Sequence, residues 1–187
     1  MYDILIIGAG VVGCAVARKL SQYQARIAVL EAAEDVADGA SKANSGIVHA
    51  GFDARPGTKK AYYNVKGAGM YASLAREMNV PYDPNGALVL GFHEEDRAVL
   101  EKLLRQGVEN GVKQLQILEK HQVLSLEPNV NPAVTCALYA PTSAVVSPYE
   151  MTIALAYHAA QNGVEFRFDT PVTALQREEE HWHVTTP

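Results

Sequence analysis

A glycine pattern near the start of the chain limits what the sequence can fold into more than any other feature. Three glycines with the spacing G-x-G-x-x-G follow the apolar run Ile4-Leu5-Ile6-Ile7: Gly8, Gly10 and Gly13. An uninterrupted apolar run of this kind is typical of a parallel strand buried on both faces. Residues at helical spacing come next, and a second apolar strand, 26–31, ends at Glu31. The opening therefore predicts a βαβ unit with a glycine-rich first turn.

Each part of this pattern suits a bound dinucleotide. Gly8 permits the tight turn, Gly10 lets the backbone approach a pyrophosphate, and Gly13 lets the helix pack against the strand. The helix N-terminus offers free N–H groups and the positive end of its dipole to the phosphates. Glu31 is suited to accept hydrogen bonds from a ribose. The pattern does not separate NAD from FAD, and a glycine-rich turn without a ligand is the alternative.

Composition excludes several other classes of protein. The 187 residues are 48% hydrophobic and 20% charged, as expected of a globular chain with a buried core. The net charge of −5 offers no basic surface to a nucleic-acid backbone, so we expect no nucleic-acid partner. Cys14 and Cys136 stand far apart without Cys/His spacing, which predicts no metal site and favours a reducing, cytoplasmic location. Peripheral attachment at the inner face of a membrane stays open.

The stretch 32–58 has no sustained period, and loops of this length are usually functional or disordered. Within it, residues 39–51 concentrate small side chains, hydroxyl groups and an amide, which suits backbone lying against a bulky, flat ligand. An NAD-binding domain would more often continue directly into another βα unit. The remaining pattern predicts helices at 59–79, 94–110 and 148–162, the last capped by Ser147, and strands at 87–90, 164–168, 172–176 and 181–185.

Several segments together resemble one family. The opening YDILIIGAGVVGCAVA, Glu31, SKANSGIVHAG, DARPGTKKA and the later EPNVNPAVTCALYAPTSAVVSPYEMTIALA are similar to the FAD-dependent oxidoreductases grouped with D-amino-acid oxidase. Within that group, the sequence most resembles the N-terminal portion of L-2-hydroxyglutarate oxidases and FAD-linked glycerol-3-phosphate dehydrogenases. The resemblance implies an α/β fold: a Rossmann-like FAD-binding domain, with the βαβ unit of glutathione reductase, and part of an α+β substrate domain.

The resemblance also implies which residues bind FAD. Those expected at the ADP half, including the residue whose backbone meets the adenine, are Gly8, Ala9, Gly10, Val12, Gly13, Glu31 and Val172. Those expected along the pyrophosphate and ribityl chain are Ser41, Asn44, Ser45 and Gly46. His49 is expected near the isoalloxazine ring, where it could position the flavin, tether it covalently or stabilise negative charge. A purely structural role for His49 in the long loop is an equal alternative.

Alcohol oxidation by a flavin needs a general base, and His49 is the one histidine in a motif-like context. For an anionic substrate, Arg55, Lys59 and Lys60 could pair with a carboxylate or a phosphate. A solvated helix start is the favoured alternative for these three cations. We predict no metal ligands.

These observations lead to one functional prediction with two alternatives. The prediction is a flavoenzyme fragment that oxidises a small anionic hydroxy substrate, of the glycerol 3-phosphate or L-2-hydroxyglutarate type, and passes electrons to an unidentified acceptor. The FAD-binding domain is expected at 1–80 and 145–187, completed by later chain, and the start of the substrate domain at 81–144. The alternatives are a stand-alone nucleotide-binding module without catalysis and an NAD(P)-dependent dehydrogenase.

Overall fold

The computed structural model describes residues 1–187, which form eleven strands and five helices. In chain order these are β1 (Ile4–Ile7), α1 (Val11–Leu20), β2 (Ile27–Leu30), β3 (Ile47–Val48), α2 (Lys59–Met78), β4 (Tyr82–Asp83), β5 (Ala87–Gly91), α3 (Asp96–Glu109), β6 (Gln116–Glu119), α4 (Lys120–Leu126), β7 (Cys136–Ala140), β8 (Ala144–Val146), α5 (Pro148–Gln161), β9 (Glu165–Arg167), β10 (Ala174–Glu178) and β11 (His181–Thr185). The chain divides into two compact units: unit 1 (Met1–Gly46, Met78–Val80 and Ser147–Pro187) and unit 2 (Ile47–Glu77 and Pro81–Val146).

Unit 1 is built on a parallel sheet of three strands in the order β1-β2-β9. β2 lies in the centre and is buried at all four positions, which agrees with its run of apolar residues. Its register joins Ile4 to Ile27 on one side and Ala28 to Glu165 on the other. The β1-α1-β2 connection is the predicted βαβ unit. The predicted α/β fold class is therefore confirmed for the part of the chain that contains the glycine pattern.

Helices α1 and α5 pack against each other in unit 1. On α1 the buried side chains are Cys14 and Ala17, and their small size permits this packing. α5 begins as predicted, with Pro148 in the first turn and the Ser147 hydroxyl accepting a hydrogen bond from the Glu150 N–H at 3.2 Å. The predicted strands 172–176 and 181–185 form the antiparallel hairpin β10–β11, in which the first strand begins at Ala174.

Unit 2 contains an antiparallel sheet in the order β5-β7-β6, against which α3 packs. Its core joins this sheet, α3 and the loop after β3, through Phe52, Leu100, Val112, Leu138 and Ala140. Full burial of a leucine such as Leu138 contributes about 1.5–3 kcal/mol relative to exposure. A second, short antiparallel sheet has the order β3-β8-β4. The mixture of helices and antiparallel strands in unit 2 is the predicted α+β character.

The compact units differ from the predicted domain boundaries over residues 47–77 and 145–146, which cluster with 81–144 rather than with the glycine turn. The reason is that β3 pairs with β8 and that the loop after β3 enters the core of unit 2. The assignment of an FAD-binding domain to 1–80 and 145–187, and of a substrate domain to 81–144, stays a prediction. The pattern also missed β3, β4, β6, β7, β8 and α4.

Candidate functional site

The glycine turn, residues 8–13, has the geometry that its sequence predicts. Gly8 has φ +97°, a left-handed conformation that strains residues with a side chain, and its N–H donates to the Leu30 carbonyl at 2.8 Å. A Cβ atom on Gly13 would lie 2.0 Å from the Gly8 carbonyl oxygen. Only glycine fits at position 13 without displacing the backbone of the turn.

Helix α1 begins at this turn, and only one of its first N–H groups, that of Val11, is bonded to a side chain. Gly10 is the N-cap and supplies no side chain to accept the first N–H groups of the helix. The Val11 N–H donates to the Ser41 Oγ at 2.9 Å, which makes Ser41 a partner of the turn. The N–H groups of Gly10, Val12 and Gly13 have no acceptor within the chain. These three donors, at the positive end of the helix dipole, suit a pyrophosphate.

Glu31 is tied to the turn through its carboxylate. One carboxylate oxygen accepts the Ala9 N–H at 2.6 Å, and the other accepts the Ala33 N–H at 2.9 Å. Each oxygen retains a lone pair, so the same carboxylate can also accept from the two hydroxyls of a ribose. Sequence reasoning predicted the ribose contact but missed the structural role of Glu31.

The end of β2 also approaches the segment that contains Val172. The Glu31 N–H donates to the Arg167 carbonyl at 2.9 Å, and the Thr170 N–H donates to the Glu31 carbonyl at 2.8 Å. Val172 is half-buried and follows Thr170 by two residues. Its expected contact with the adenine stays a prediction.

The segment 32–46 folds back over the glycine turn. The Ala37 N–H donates to the Ala9 carbonyl at 3.0 Å, and the Ser41 contact with Val11 lies a few residues later. Asn44 stabilises the segment itself: its Oδ1 accepts the Gly46 N–H at 2.9 Å, and its Nδ2 donates to the Ala40 carbonyl at 3.0 Å. Asn44 and Ser45 have exposed side chains, and Gly46 is buried.

Cys14 is a structural thiol beside the turn. Its side chain is fully buried, and its Sγ donates to the Ala9 carbonyl at 3.3 Å. Burial, and secondarily the charge of Glu31, raises the pKa of the Cys14 thiol to about 11. The thiol is therefore protonated at neutral pH, as expected of a small core residue.

The predicted catalytic residue, His49, lies in unit 2 directly after β3 and has an exposed side chain. Its carbonyl accepts the Asn64 Nδ2 at 3.4 Å. The following loop, 50–54, is held by distant side chains. Ser143, which is buried, accepts the Ala50 N–H at 3.3 Å, and Gln106 Nε2 donates to the Phe52 carbonyl at 3.0 Å.

Asn110 makes the tightest of these attachments. Its Nδ2 donates to two carbonyls of the loop, that of Gly51 at 2.9 Å and that of Ala54 at 2.6 Å. Sequence reasoning gave no role to Gln106, Asn110 or Ser143. The one available signal was the i,i+4 spacing of two amides, Gln106 and Asn110, at the end of an amphipathic helix.

The predicted substrate cations Arg55 and Lys60, with Lys59, are exposed around the start of α2. Thr58 caps this helix: its hydroxyl donates to the Arg55 carbonyl at 2.7 Å and accepts the Ala61 N–H at 3.2 Å. No ion pair engages these three cations. Because cations at a helix N-terminus oppose its dipole, α2 itself does not explain why Lys59 and Lys60 stand there.

The predicted residues thus form two groups. Unit 1 contains Gly8, Ala9, Gly10, Val12, Gly13, Glu31, Ser41, Asn44, Ser45, Gly46 and Val172, and unit 2 contains His49, Arg55 and Lys60. No group of three or more His, Cys, Asp or Glu side chains is placed to hold a metal ion. None of the helices has the length and apolar character that crossing a bilayer requires.

Comparison with known proteins identifies the family. Residues 3–187 match the DAO family, described as FAD dependent oxidoreductase. The chain belongs to this family. The predicted resemblance is confirmed, and FAD rather than NAD(P) is the cofactor of the family.

Individual relatives agree with this assignment. A glycerol 3-phosphate dehydrogenase of Caloramator mitchellensis is 44% identical over 186 residues, 100% of this chain and 39% of that protein. An L-2-hydroxyglutarate dehydrogenase of Dictyostelium discoideum is 32% identical over 155 residues, 81% of this chain and 34% of that protein. The dithionite-reduced L-alpha-glycerophosphate oxidase of Mycoplasma pneumoniae, solved with FAD bound, has a TM-score of 0.94 and 33% identity, covering 99% of this chain and 49% of that one. The chain thus spans less than half the length of these relatives.

The residues of the glycine turn fit FAD. The open N–H groups of Gly10, Val12 and Gly13 can donate to its pyrophosphate, and Glu31 can accept from its ribose. The absence of a side chain at Gly10, where a Cβ would lie 3.3 Å from the Ser41 Oγ, leaves the backbone accessible.

Proposed function

We propose that this DAO-family chain is the FAD-binding part of an enzyme that oxidises glycerol 3-phosphate. The observation that carries the proposal is the 44% identity with a glycerol 3-phosphate dehydrogenase across the entire chain. The L-2-hydroxyglutarate dehydrogenase reaches 32% over a shorter stretch. The free N–H groups at the start of α1 and the carboxylate of Glu31 support the cofactor half of the proposal.

When bound, FAD supplies a two-electron acceptor for the hydride of the alcohol carbon. The residues of this chain have two other tasks. His49, whose imidazole is exposed, accepts the hydroxyl proton of the substrate as that hydride leaves. Arg55 and Lys60, which have no acidic partner, attract the phosphate of the substrate.

L-2-hydroxyglutarate is the second candidate substrate. Its dehydrogenases from several organisms are 30–32% identical to this chain. It shares with glycerol 3-phosphate a secondary hydroxyl group and an anionic group, so the same cations and the same base suit both. Glycerol 3-phosphate ranks first because of the higher identity and the longer match.

The test is reduction of bound flavin without oxygen. The chain is loaded with FAD and mixed with glycerol 3-phosphate, L-2-hydroxyglutarate or glycerol, and loss of the visible flavin absorbance is followed. We expect reduction by glycerol 3-phosphate alone. Reduction by L-2-hydroxyglutarate alone would support the second candidate, and FAD binding without reduction by either substrate would support only the FAD-binding role of these residues.

Variants separate the roles of the cations and the base. Replacing Arg55 and Lys60 with alanine should weaken the response to glycerol 3-phosphate, whereas H49Q should slow reduction without changing the concentration that gives half the maximal rate. E95A, at an exposed acid before α3, is the matched control. An unchanged rate in H49Q would contradict the proposed base.

We also propose a cytoplasmic location for the protein. A cytoplasmic location is supported by two buried cysteines that form no disulfide, Cys14 and Cys136. Fractionation of cells, with salt washing of the membranes, tests this location and the peripheral attachment that the sequence left open.

A further inference from the structure

Ala37 has an unusual backbone for a residue with a side chain. Its φ is +63°, in the left-handed region that strains alanine and suits glycine, and its side chain is fully buried. Strained residues persist where the surrounding structure determines their conformation, and they cluster at functional sites. Ala37 lies in the segment that covers the glycine turn. The contacts of its backbone therefore indicate which part of the turn this strained residue holds.

The Ala37 N–H determines the orientation of one peptide in the turn. It donates to the Ala9 carbonyl at 3.0 Å, and the Cys14 thiol donates to the same oxygen at 3.3 Å. The peptide that carries this carbonyl also carries the Gly10 N–H. Because every peptide bond in the chain is trans and a trans peptide is planar, the Gly10 N–H points away from Ala37. This N–H is one of the three donors without an acceptor in the chain.

The preceding peptide, between Gly8 and Ala9, is fixed by Glu31, the residue that follows β2. The Ala9 N–H donates to the Glu31 carboxylate at 2.6 Å, which directs the Gly8 carbonyl to the opposite side. That carbonyl lies against Gly13, where a Cβ would come within 2.0 Å of the oxygen. Glu31 and Ala37 thus set the planes of two consecutive peptides, and the glycine requirement at position 13 follows from the first of them.

We propose that Ala37 is a positioning residue for the FAD pyrophosphate: its N–H holds the Ala9–Gly10 peptide so that the Gly10 N–H is aimed at the phosphates. The inference rests on the proposed FAD-binding role of the chain. In this strained conformation the Ala37 N–H donates to the Ala9 carbonyl while the chain continues to Ser41, the next contact with the turn. The glycine pattern supplies the donors, and Ala37, which lies outside the pattern, orients one of them.

The experiment compares two variants of Ala37 in the full chain. A37V disfavours the left-handed conformation strongly, because β-branched residues are the least tolerant of positive φ. A37G removes the same methyl group but keeps both the N–H and the conformation. A40V, in the same segment with an exposed side chain, is the matched control. The dissociation constants of FAD and of ADP are measured by fluorescence and by calorimetry, and the Gly10 amide signal by NMR.

We expect A37V to raise both dissociation constants by about tenfold, as for loss of one hydrogen bond to a charged group. We expect A37G and A40V to stay within about twofold of the parent, since both retain the Ala37 N–H in place. In the parent, ADP should shift the Gly10 amide proton signal downfield by more than that of Gly39, which is exposed on the covering segment.

Three results would overturn the inference. One is unchanged FAD and ADP binding in A37V, and another is an equal loss in A37G, which would trace the effect to the buried methyl group. The third is a Gly10 amide signal that ADP does not shift, and this result is independent of whether A37V folds. Failure of the parent chain itself to bind FAD would overturn the proposed function and the inference together, whereas the other results leave the proposed function intact.

Discussion

The glycine turn of unit 1 and the loop of unit 2 that follows His49, residues 50–54, are held in place in different ways. The turn is fixed by residues 22 and 30 positions away, Glu31 and Ser41, which contact Ala9 and Val11. The loop is fixed by Gln106, Asn110 and Ser143, at separations of 54 to 93 positions. The turn therefore depends on steric demands within the βαβ unit and on contacts from the chain that directly follows it, whereas the loop depends on the assembled core of unit 2.

Gly13→Ala should have the largest effect, because it adds a Cβ 2.0 Å from a backbone oxygen that cannot move without disrupting the turn. Alanine usually stabilises a helix relative to glycine by about 1 kcal/mol. Here we expect the opposite sign, a loss of more than about 3 kcal/mol in the free energy of unfolding and no FAD binding. The measurement is denaturant unfolding followed by FAD titration.

Gly69→Ala is the control for this prediction. Gly69 lies within α2, and a Cβ there meets nothing within 4 Å. It should stabilise the chain by about 0.5–1 kcal/mol. Equal stabilisation by the two alanines would show that the turn is not sterically encoded.

Glu31→Ala should weaken FAD binding by about 1–3 kcal/mol, since a hydrogen-bonding carboxylate is lost and the Ala9 N–H loses its acceptor. Glu34→Ala, at an exposed acid of the same segment, should leave the dissociation constant unchanged. Titration of both variants with FAD decides the matter. A Glu31→Ala chain that binds FAD like the parent would remove Glu31 from the site.

Asn110→Ala tests the other side of the comparison. Two loop carbonyls, those of Gly51 and Ala54, lose their side-chain donor, and we expect unfolding to become easier by about 1–2 kcal/mol. The NMR signals of residues 50–54 should move, while those of the glycine turn stay in place. Asn129→Ala serves as the control, because its side-chain amide is exposed and only its backbone N–H is hydrogen-bonded, to the Glu127 carboxylate. Movement of the turn signals in Asn110→Ala would break the distinction between the two regions.

The smallest effect concerns the Cys14 thiol, a further partner of the Ala9 carbonyl. The folded pKa is raised to about 11 from the ordinary 9.0, so the unfolded chain releases this proton first as the pH rises. The stabilisation is fully present below pH 9.0 and is lost as the pH approaches 11. The free energy of unfolding should therefore decline less steeply over this range in Cys14→Ala. Parallel pH profiles of the two proteins would contradict the raised pKa.

The sequence analysis predicted those parts of the fold that local physics determines. The turn at Gly8 and Gly13 follows from backbone sterics, and the start of α5 follows from the hydroxyl of Ser147. β7 was missed because it is buried at four of five positions and contains small residues, so it lacks the alternation of a half-exposed strand. Asn110 was missed because its role exists only once α3 has packed beside the loop.

Unit 1 is discontinuous in the chain, and this has a consequence for the order of events during synthesis. Residues 81–146 of unit 2 leave the ribosome before Ser147 does. The sheets of unit 2 can therefore pair while β2 still lacks its neighbour β9. Glu31 meets its later backbone partners, Arg167 and Thr170, only after the residues of unit 2 have been synthesised. A nascent chain thus carries the glycine turn well before it contains β9, the strand that pairs with β2 beside that turn.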